Sequence, residues 1–350
     1  MSATNATVTT ACLAGQGDGG SWSPLAEEHP PLWKHVCRHE QASIDACAPN
    51  DAAQRRDGKG GIYRYEPAAA SCKLLRRIDV GALCSRLAGW RVFFVGDSVQ
   101  QSFFLSFVML LSPTRANSSG MCVPHSFLPQ RVCADHVHGG VLLTAVRDDW
   151  LTLPSEQRIS PADLRGNRGR VTQRNKGAWF TAFNHAHEGK RTLLVLSDSA
   201  RVWPLHMRNA HLLQVAEAVT PRTEARRAGA VVWRTAVPGH PNCQSAKGPL
   251  PSLADFSAER HLATLDMHYN WHLINETRAQ REHIFRRASA AVLDAYSPGT
   301  LRPDEHPRLS LRMDSGFGMR DCLHYCKRSD TLHTWSLTLA TMIQVWGLLK

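Results

Sequence analysis

The sequence predicts an α/β fold with a mainly parallel central sheet covered by helices on both faces. Three apolar runs carry that prediction: residues 91–95, 192–196 and 230–234. Each is short and nearly continuous, the mark of a strand buried on both faces. Helical stretches alternate with these runs, and such alternation favours parallel strands joined by crossovers. The length of 350 residues and the 43% apolar content suffice for one large core.

Taken in order, residues 1–30 are rich in Thr, Gly, Ser and Pro without periodicity, and read as a flexible arm. Residues 31–85 hold Cys37, Cys47, Cys72 and Cys84 among Gly, Asp and Arg, with one strand-like piece at 62–65. This reads as a disulfide-stapled, loop-rich segment packing on a single domain that spans 31–350. Residues 91–95 are a strand, Gly96-Asp97-Ser98 a turn, and 99–111 a buried helix. Residues 141–146 are a further strand candidate. Residues 151–176, rich in Arg, Gly and Asn, read as a surface insertion. The strand at 192–196 leads to a helix over about 207–219, and the strand at 230–234 follows. Residues 290–296 are another strand candidate, and 331–349 have apolar helical spacing. There is no internal repeat.

Charge and cysteines bound the function. The net charge is +11 and the isoelectric point is near 9.4. Such a surface attracts anionic partners, although a soluble basic enzyme would look the same. The Lys and Arg residues are scattered rather than interleaved with aromatics, which argues against nucleic acid. Ten cysteines are many for a reducing compartment, and no two closely spaced pairs make a zinc ribbon. Cys322 and Cys326 would share a helix face, but zinc would need two more ligands. Disulfides in an oxidising compartment fit better. Sequons at Asn5, Asn117 and Asn275 agree with that. The first twenty residues lack a basic region followed by an apolar core, and no run approaches about 18 apolar residues. The cysteines favour a leader or anchor lying outside this sequence, so membrane association would come only through that anchor. His136 and His138 beside Cys133 read as a loop cluster, and His268 and His272 as surface; no metal site is expected.

Ser98 is the first residue with chemical promise. It follows a buried strand, where open parallel sheets form their sites, and it opens a helix whose N-terminus can hold negative charge. The plain alternative is that Asp97 or Ser98 merely caps the helix. A serine nucleophile needs a base. His324 is the informative one of 18 histidines, because Asp321 stands three residues before it and can orient the imidazole. A surface Asp–His pair is the alternative, but flanking cysteines would pin this loop if bridged. Arg234 ends a central strand, where it contacts either substrate or a structural carboxylate.

These residues resemble the trichome birefringence-like and PC-esterase group within the SGNH (GDSL-like) hydrolase superfamily. The carriers are Gly96-Asp97-Ser98 after the strand and Asp321-Cys322-Leu323-His324-Tyr325-Cys326 before the last helix. Ile62-Tyr63-Arg64-Tyr65-Glu66-Pro67 with Cys72 is similar to the group's aromatic-Arg-aromatic element. Trp233-Arg234-Thr235, Gly239-His240-Pro241-Asn242-Cys243, Arg302-Pro303-Asp304-Glu305-His306-Pro307 and Thr334-Trp335 resemble further blocks. The likeness runs in consistent order over about 35–345.

The resemblance implies a three-layer α/β/α sandwich with one cleft. It implies Ser98 as nucleophile, His324 as general base and Asp321 as orienting acid, with no bound cofactor and an acetyl donor as co-substrate. Gly96, Asp97, Ser197, Ser199 and Arg234 become the oxyanion or substrate candidates. It implies that Cys243 pairs with Cys322 or Cys326. The implied activity is O-acetyl transfer to polysaccharide or glycan hydroxyls in the Golgi lumen through an acyl-serine. A carbohydrate esterase would use the same residues, a glycan-binding relative would keep only the cleft, and a cytosolic lipase-like enzyme would require reduced cysteines. The positive charge suits an anionic acceptor. One departure stands out: the group's Asn-Thr-Gly is Ser197-Asp198-Ser199 here. Losing an oxyanion donor costs about 100- to 1,000-fold in rate. The group's Ser-Arg-Asn and Leu-Pro-Gly are likewise Gln100-Gln101-Ser102 and Lys327-Arg328-Ser329, which bears on substrate identity.

Overall fold

The computed structural model describes residues 12, 20–24, 63–69, 72–112, 127–153, 179–180, 183, 191–198, 205–220, 229–240, 243–256, 271–306, 322–326 and 329–349. A small antiparallel sheet pairs β1 (Gly20–Pro24) with β2 (Tyr63–Pro67). The main sheet comprises β3 (Trp90–Gly96), β4 (Phe127–Val132), β5 (Val141–Arg147), β6 (Arg191–Ser197), β7 (Gly229–Arg234) and β8 (Ala291–Leu293). Its order is β4-β5-β3-β6-β7-β8, parallel throughout except for β4 against β5. The predicted α/β class with a mainly parallel sheet is therefore observed.

The helices are α1 (Val80–Leu87), α2 (Ser98–Leu111), α3 (Leu205–Val219), α4 (His272–Arg287), α5 (Tyr296–Thr300) and α6 (Asp330–Gln344). Side chains alternate along a strand, and β3 shows the result. Val92 and Phe94 enter one core with Leu83 of α1, Phe103 and Phe107 of α2, and Trp335 of α6. Phe93 and Val95 enter another with Val215 of α3 and Phe285 of α4. Edge-on contacts of Phe94 with Phe103 and of Phe103 with Trp335 interlock the first core.

After β3 the chain builds β4 and β5 on one side of it, then crosses to β6 on the other. Loops thus diverge at the carboxyl end of β3, where open α/β sheets leave a crevice.

Several expectations are corrected. Within residues 1–30, read as a flexible arm, Gly20–Pro24 is a strand and Cys12 is bridged to Cys72. The cause is distant: Trp22 pairs with Tyr65, its ring nitrogen donates to the Pro298 carbonyl at 3.2 Å, and the Arg302 guanidinium lies over its ring. The candidate strand at 290–296 ends at Leu293. The Thr235 hydroxyl accepts from the amides of Ala295 and Tyr296, both at 2.8 Å, and turns the chain into α5. The insertion read from 151 begins with a fully buried Leu151, and residues 154–176 lie outside the described residues.

Further bridges join Cys84 to Cys133 and Cys243 to Cys322. Cys326 is also disulfide-bonded, while Cys37 and Cys47 lie outside the described residues. Such bridges belong to an oxidising environment, as in the secretory pathway. Among the described residues, no helix is long and apolar enough to cross a membrane.

Candidate active site

At the end of β3 the chain turns within three residues. Gly96 is required by close approach: a Cβ there would lie 3.0 Å from the Ser197 carbonyl oxygen and from Gln100 Cβ. Asp97 caps α2, its Oδ1 accepting from the amides of Val99 at 3.0 Å and Gln100 at 3.1 Å. The capping alternative therefore holds for Asp97, and it releases Ser98. Ser98 is half-buried as the first residue of α2, and its Oγ lies 2.6 Å from His324 Nε2. These two residues are 226 positions apart in sequence.

His324 sits on an irregular segment, 322–326, that is tied at nearly every residue. Cys322 is bridged to Cys243, and its carbonyl accepts from the His240 amide at 2.8 Å. The His324 carbonyl accepts from His306 Nδ1 at 2.8 Å. The Cys326 amide donates to the Glu305 carbonyl at 2.8 Å. The Tyr325 ring packs against His306 and edge-on against Trp335. Burial raises the Tyr325 phenol well above its ordinary range, so it stays neutral. A side chain on such a segment has little freedom to leave its partner.

Arg234 lies beneath the start of α2 and is 1% exposed. Its Nε donates to Gln100 Oε1 at 2.6 Å, and a terminal nitrogen donates to Ser197 Oγ. The Asp97 carboxylate is 4.0 Å away, and the Trp335 ring lies 5.0 Å beneath the guanidinium. Desolvation lowers its pKa to about 10, with Asp97, Tyr325 and Asp198 opposing, so it remains charged at neutral pH. A group so enclosed does not touch a ligand in a cleft. Arg234 ties the ends of β6 and β7 to α2, which corrects the substrate alternative in favour of the structural one.

Ser197 is likewise corrected as an oxyanion donor. It is fully buried, and its hydroxyl donates to the Asp198 carbonyl at 3.0 Å while accepting from Arg234. Its one proton is already used. Asp198 faces away from such a role too: it pairs with Arg208 of α3 and, at 2.5 Å, with Arg281 of α4. Ser199 and Asp321 lie outside the described residues.

Sequence reasoning passed over Gln100, His240, His306 and Glu305 as parts of this site. Gln100 is buried and bridges Arg234 to the Val195 carbonyl. Glu305 accepts from the amides of Asp330 at 2.6 Å and Thr331 at 3.0 Å, and pairs with Arg302 at 2.8 Å. Burial pushes its carboxyl up to about 8, Asp330 and Asp304 adding to the rise and Arg302 opposing it. Their side chains act mainly through partners tens of positions away, the Arg302–Glu305 pair being the local exception.

A serine hydroxyl at 2.6 Å from an imidazole nitrogen, at the start of a helix and the carboxyl end of a central strand, can lose its proton as it attacks a carbonyl carbon. No protein-family model matches the chain, and no match is found among curated proteins.

Proposed function

We propose that the chain is an O-acyltransferase of the trichome birefringence-like and PC-esterase kind, with the three-layer α/β/α sandwich of SGNH hydrolases. The observation that carries this reading is the 2.6 Å contact of Ser98 Oγ with His324 Nε2 at the carboxyl end of β3. Ser98 Oγ bonds to the acyl carbon of an ester donor while His324 takes its proton. The tetrahedral intermediate collapses, the donor oxygen departs with the proton from His324, and an acyl-serine remains. A sugar hydroxyl then attacks the acyl-serine, giving its proton to His324, which returns it to Ser98. Asp321 orients the imidazole in this scheme. The amides of Val99 and Gln100 serve the Asp97 cap. An oxyanion therefore draws on the Ser98 amide and the field of the α2 N-terminus. With Ser197 committed elsewhere, the donor that the group's Asn would supply is not replaced by Ser197, and the hole is built differently or turnover is slower.

The acceptor is a glycan hydroxyl in the Golgi lumen, and the charge of +11 suits an anionic polysaccharide. The test is acyl trapping. The oxidised chain is incubated with an activated acetyl ester and examined by intact and peptide mass spectrometry. One acetyl group on Ser98, absent from Ser98→Ala, is expected. Release by sugar marks a transferase and release by water an esterase. A folded, bridged sample that takes up no acetyl would overturn the acyl-serine reading and leave a glycan-binding relative.

A further inference from the structure

Three histidines from three separate segments are linked behind the nucleophile. His306 Nδ1 lies 2.8 Å from the backbone oxygen of His324. His240 Nε2 lies 2.7 Å from the backbone oxygen of Thr300. Between them, His240 Nδ1 lies 2.7 Å from His306 Nε2. A carbonyl oxygen can only accept, so both outer contacts require an N–H on the ring. A neutral imidazole carries one N–H. Two neutral rings would therefore aim two lone pairs at each other across 2.7 Å. One more proton between the rings turns that repulsion into a hydrogen bond.

We propose that the His240–His306 pair holds three ring protons in the folded protein, and that this shared-proton pair is a positioning element that fixes the main chain of His324 and so aims the base at Ser98. The catalytic consequence rests on the proposed roles of Ser98 and His324; the proton count does not.

The surroundings accommodate the charge. The two rings are 2% and 1% exposed, and a buried cation needs a compensating negative charge. Next to His306 in the chain, Arg302 pairs with Asp304, Glu305 and Asp330, one guanidinium against three carboxyl groups. Even with Glu305 protonated, two carboxylates face one cation. The carbonyl dipoles of Thr300 and His324 point at the outer N–H groups. Among the described residues, Tyr325 packs on His306, Phe256 packs edge-on against His240, and the Cys243–Cys322 bridge closes the same corner; the Arg234 charge also lies within electrostatic reach of Tyr325. Loss of the third proton restores the facing lone pairs and loosens the hold on the His324 carbonyl. Displacing a catalytic group by ~1 Å costs about 100-fold in rate.

The first test needs no variant. Full-length oxidised protein with 15N-labelled histidine is examined by NMR at neutral pH. The expected result is a nitrogen–nitrogen coupling between two different imidazoles through one shared proton, with the outer nitrogen of each ring also protonated. Absence of any inter-ring coupling, with each ring carrying a single proton, would overturn the proposal. The second test follows the pH. As the shared proton is lost, the His324 ring signals should shift and acetyl labelling of Ser98 should fall. His306→Asn keeps an N–H at the position of Nδ1 but has no second ring nitrogen, so its labelling should show no alkaline fall. Because the Glu305 carboxyl, pushed up to about 8, also titrates across such a series, Glu305→Gln serves as the control and should retain both coupling and fall. Unchanged His324 signals across the loss of the shared proton would overturn the positioning role. Failure of the wild type to label at all would instead count against the acyl-serine reading, while the coupling still decides the proton count.

Discussion

At the scale of single residues, the structure reassigns one short element. Asp198 looked like a substitute in an oxyanion loop, yet it is 1% exposed and carries two guanidinium partners, Arg208 and Arg281. Removing its charge leaves two buried cations with no anion between them, which typically costs about 3–5 kcal/mol. Asp198→Asn should lower the unfolding free energy by that order in urea titration; a change within about 0.5 kcal/mol, the size of an ordinary surface substitution, would contradict its anchoring role. The pairing of Ser98 with His324 was legible because each stands in a local motif: Gly-Asp-Ser after a strand, and a histidine three residues after Asp321 and flanked by cysteines. The His240–His306 contact was not, because its ring nitrogens meet across 66 positions. Arg234 was readable only as an alternative. Which partner a strand-end arginine takes depends on Gln100, 134 residues away.

Elements differ in legibility for similar reasons. β3, β6 and β7 are buried on both faces and announce themselves as apolar runs. β4 carries Pro129 and lies at the sheet edge, where a missing N–H is tolerated but the sequence reads as loop. β1 is held by its pairing with β2 and by the contacts of Trp22 with Pro298 and Arg302, and has no signal of its own. α4 has too few apolar residues for its spacing to show, since much of its surface binds charged partners such as Glu282 with Arg278 and Arg286. The segment 322–326 is the element on which the candidate site depends. The resemblance left Cys243 two possible partners, and the bridge is to Cys322. Replacing both cysteines by serine should cost about 2–5 kcal/mol in stability. It should reduce Ser98 labelling by more than it reduces helix content in circular dichroism. Equal losses of both would mean that the bridge supports the fold in general rather than this segment.

For the whole molecule, Glu305 contributes a pH dependence of stability. Its folded-state carboxyl is raised to about 8 from an ordinary 4.5, first by burial. Between those values the folded chain keeps a proton that the unfolded chain has released. The unfolding free energy contributed by this group is therefore full below about pH 4.5 and falls as pH rises toward about 8. Urea titrations at pH 5 and pH 8 should show the wild type losing stability at the higher pH. Glu305→Gln should flatten that slope. A wild-type stability that rises across this window would show that carboxylates of the opposite kind dominate.

The contact between Ser98 and His324 also sets an order of events during synthesis. The helix that begins at Ser98 packs on α6, whose Trp335 meets Phe103, and His324 arrives only with the segment just before α6. A growing chain therefore carries its serine for more than two hundred residues before the histidine exists. Throughout that time the core beneath α2 remains open on one side. A chain that stops before residue 322 lacks both the imidazole that meets Ser98 and the wall of that core, so termination there removes the Ser98–His324 contact altogether and leaves an unstable product.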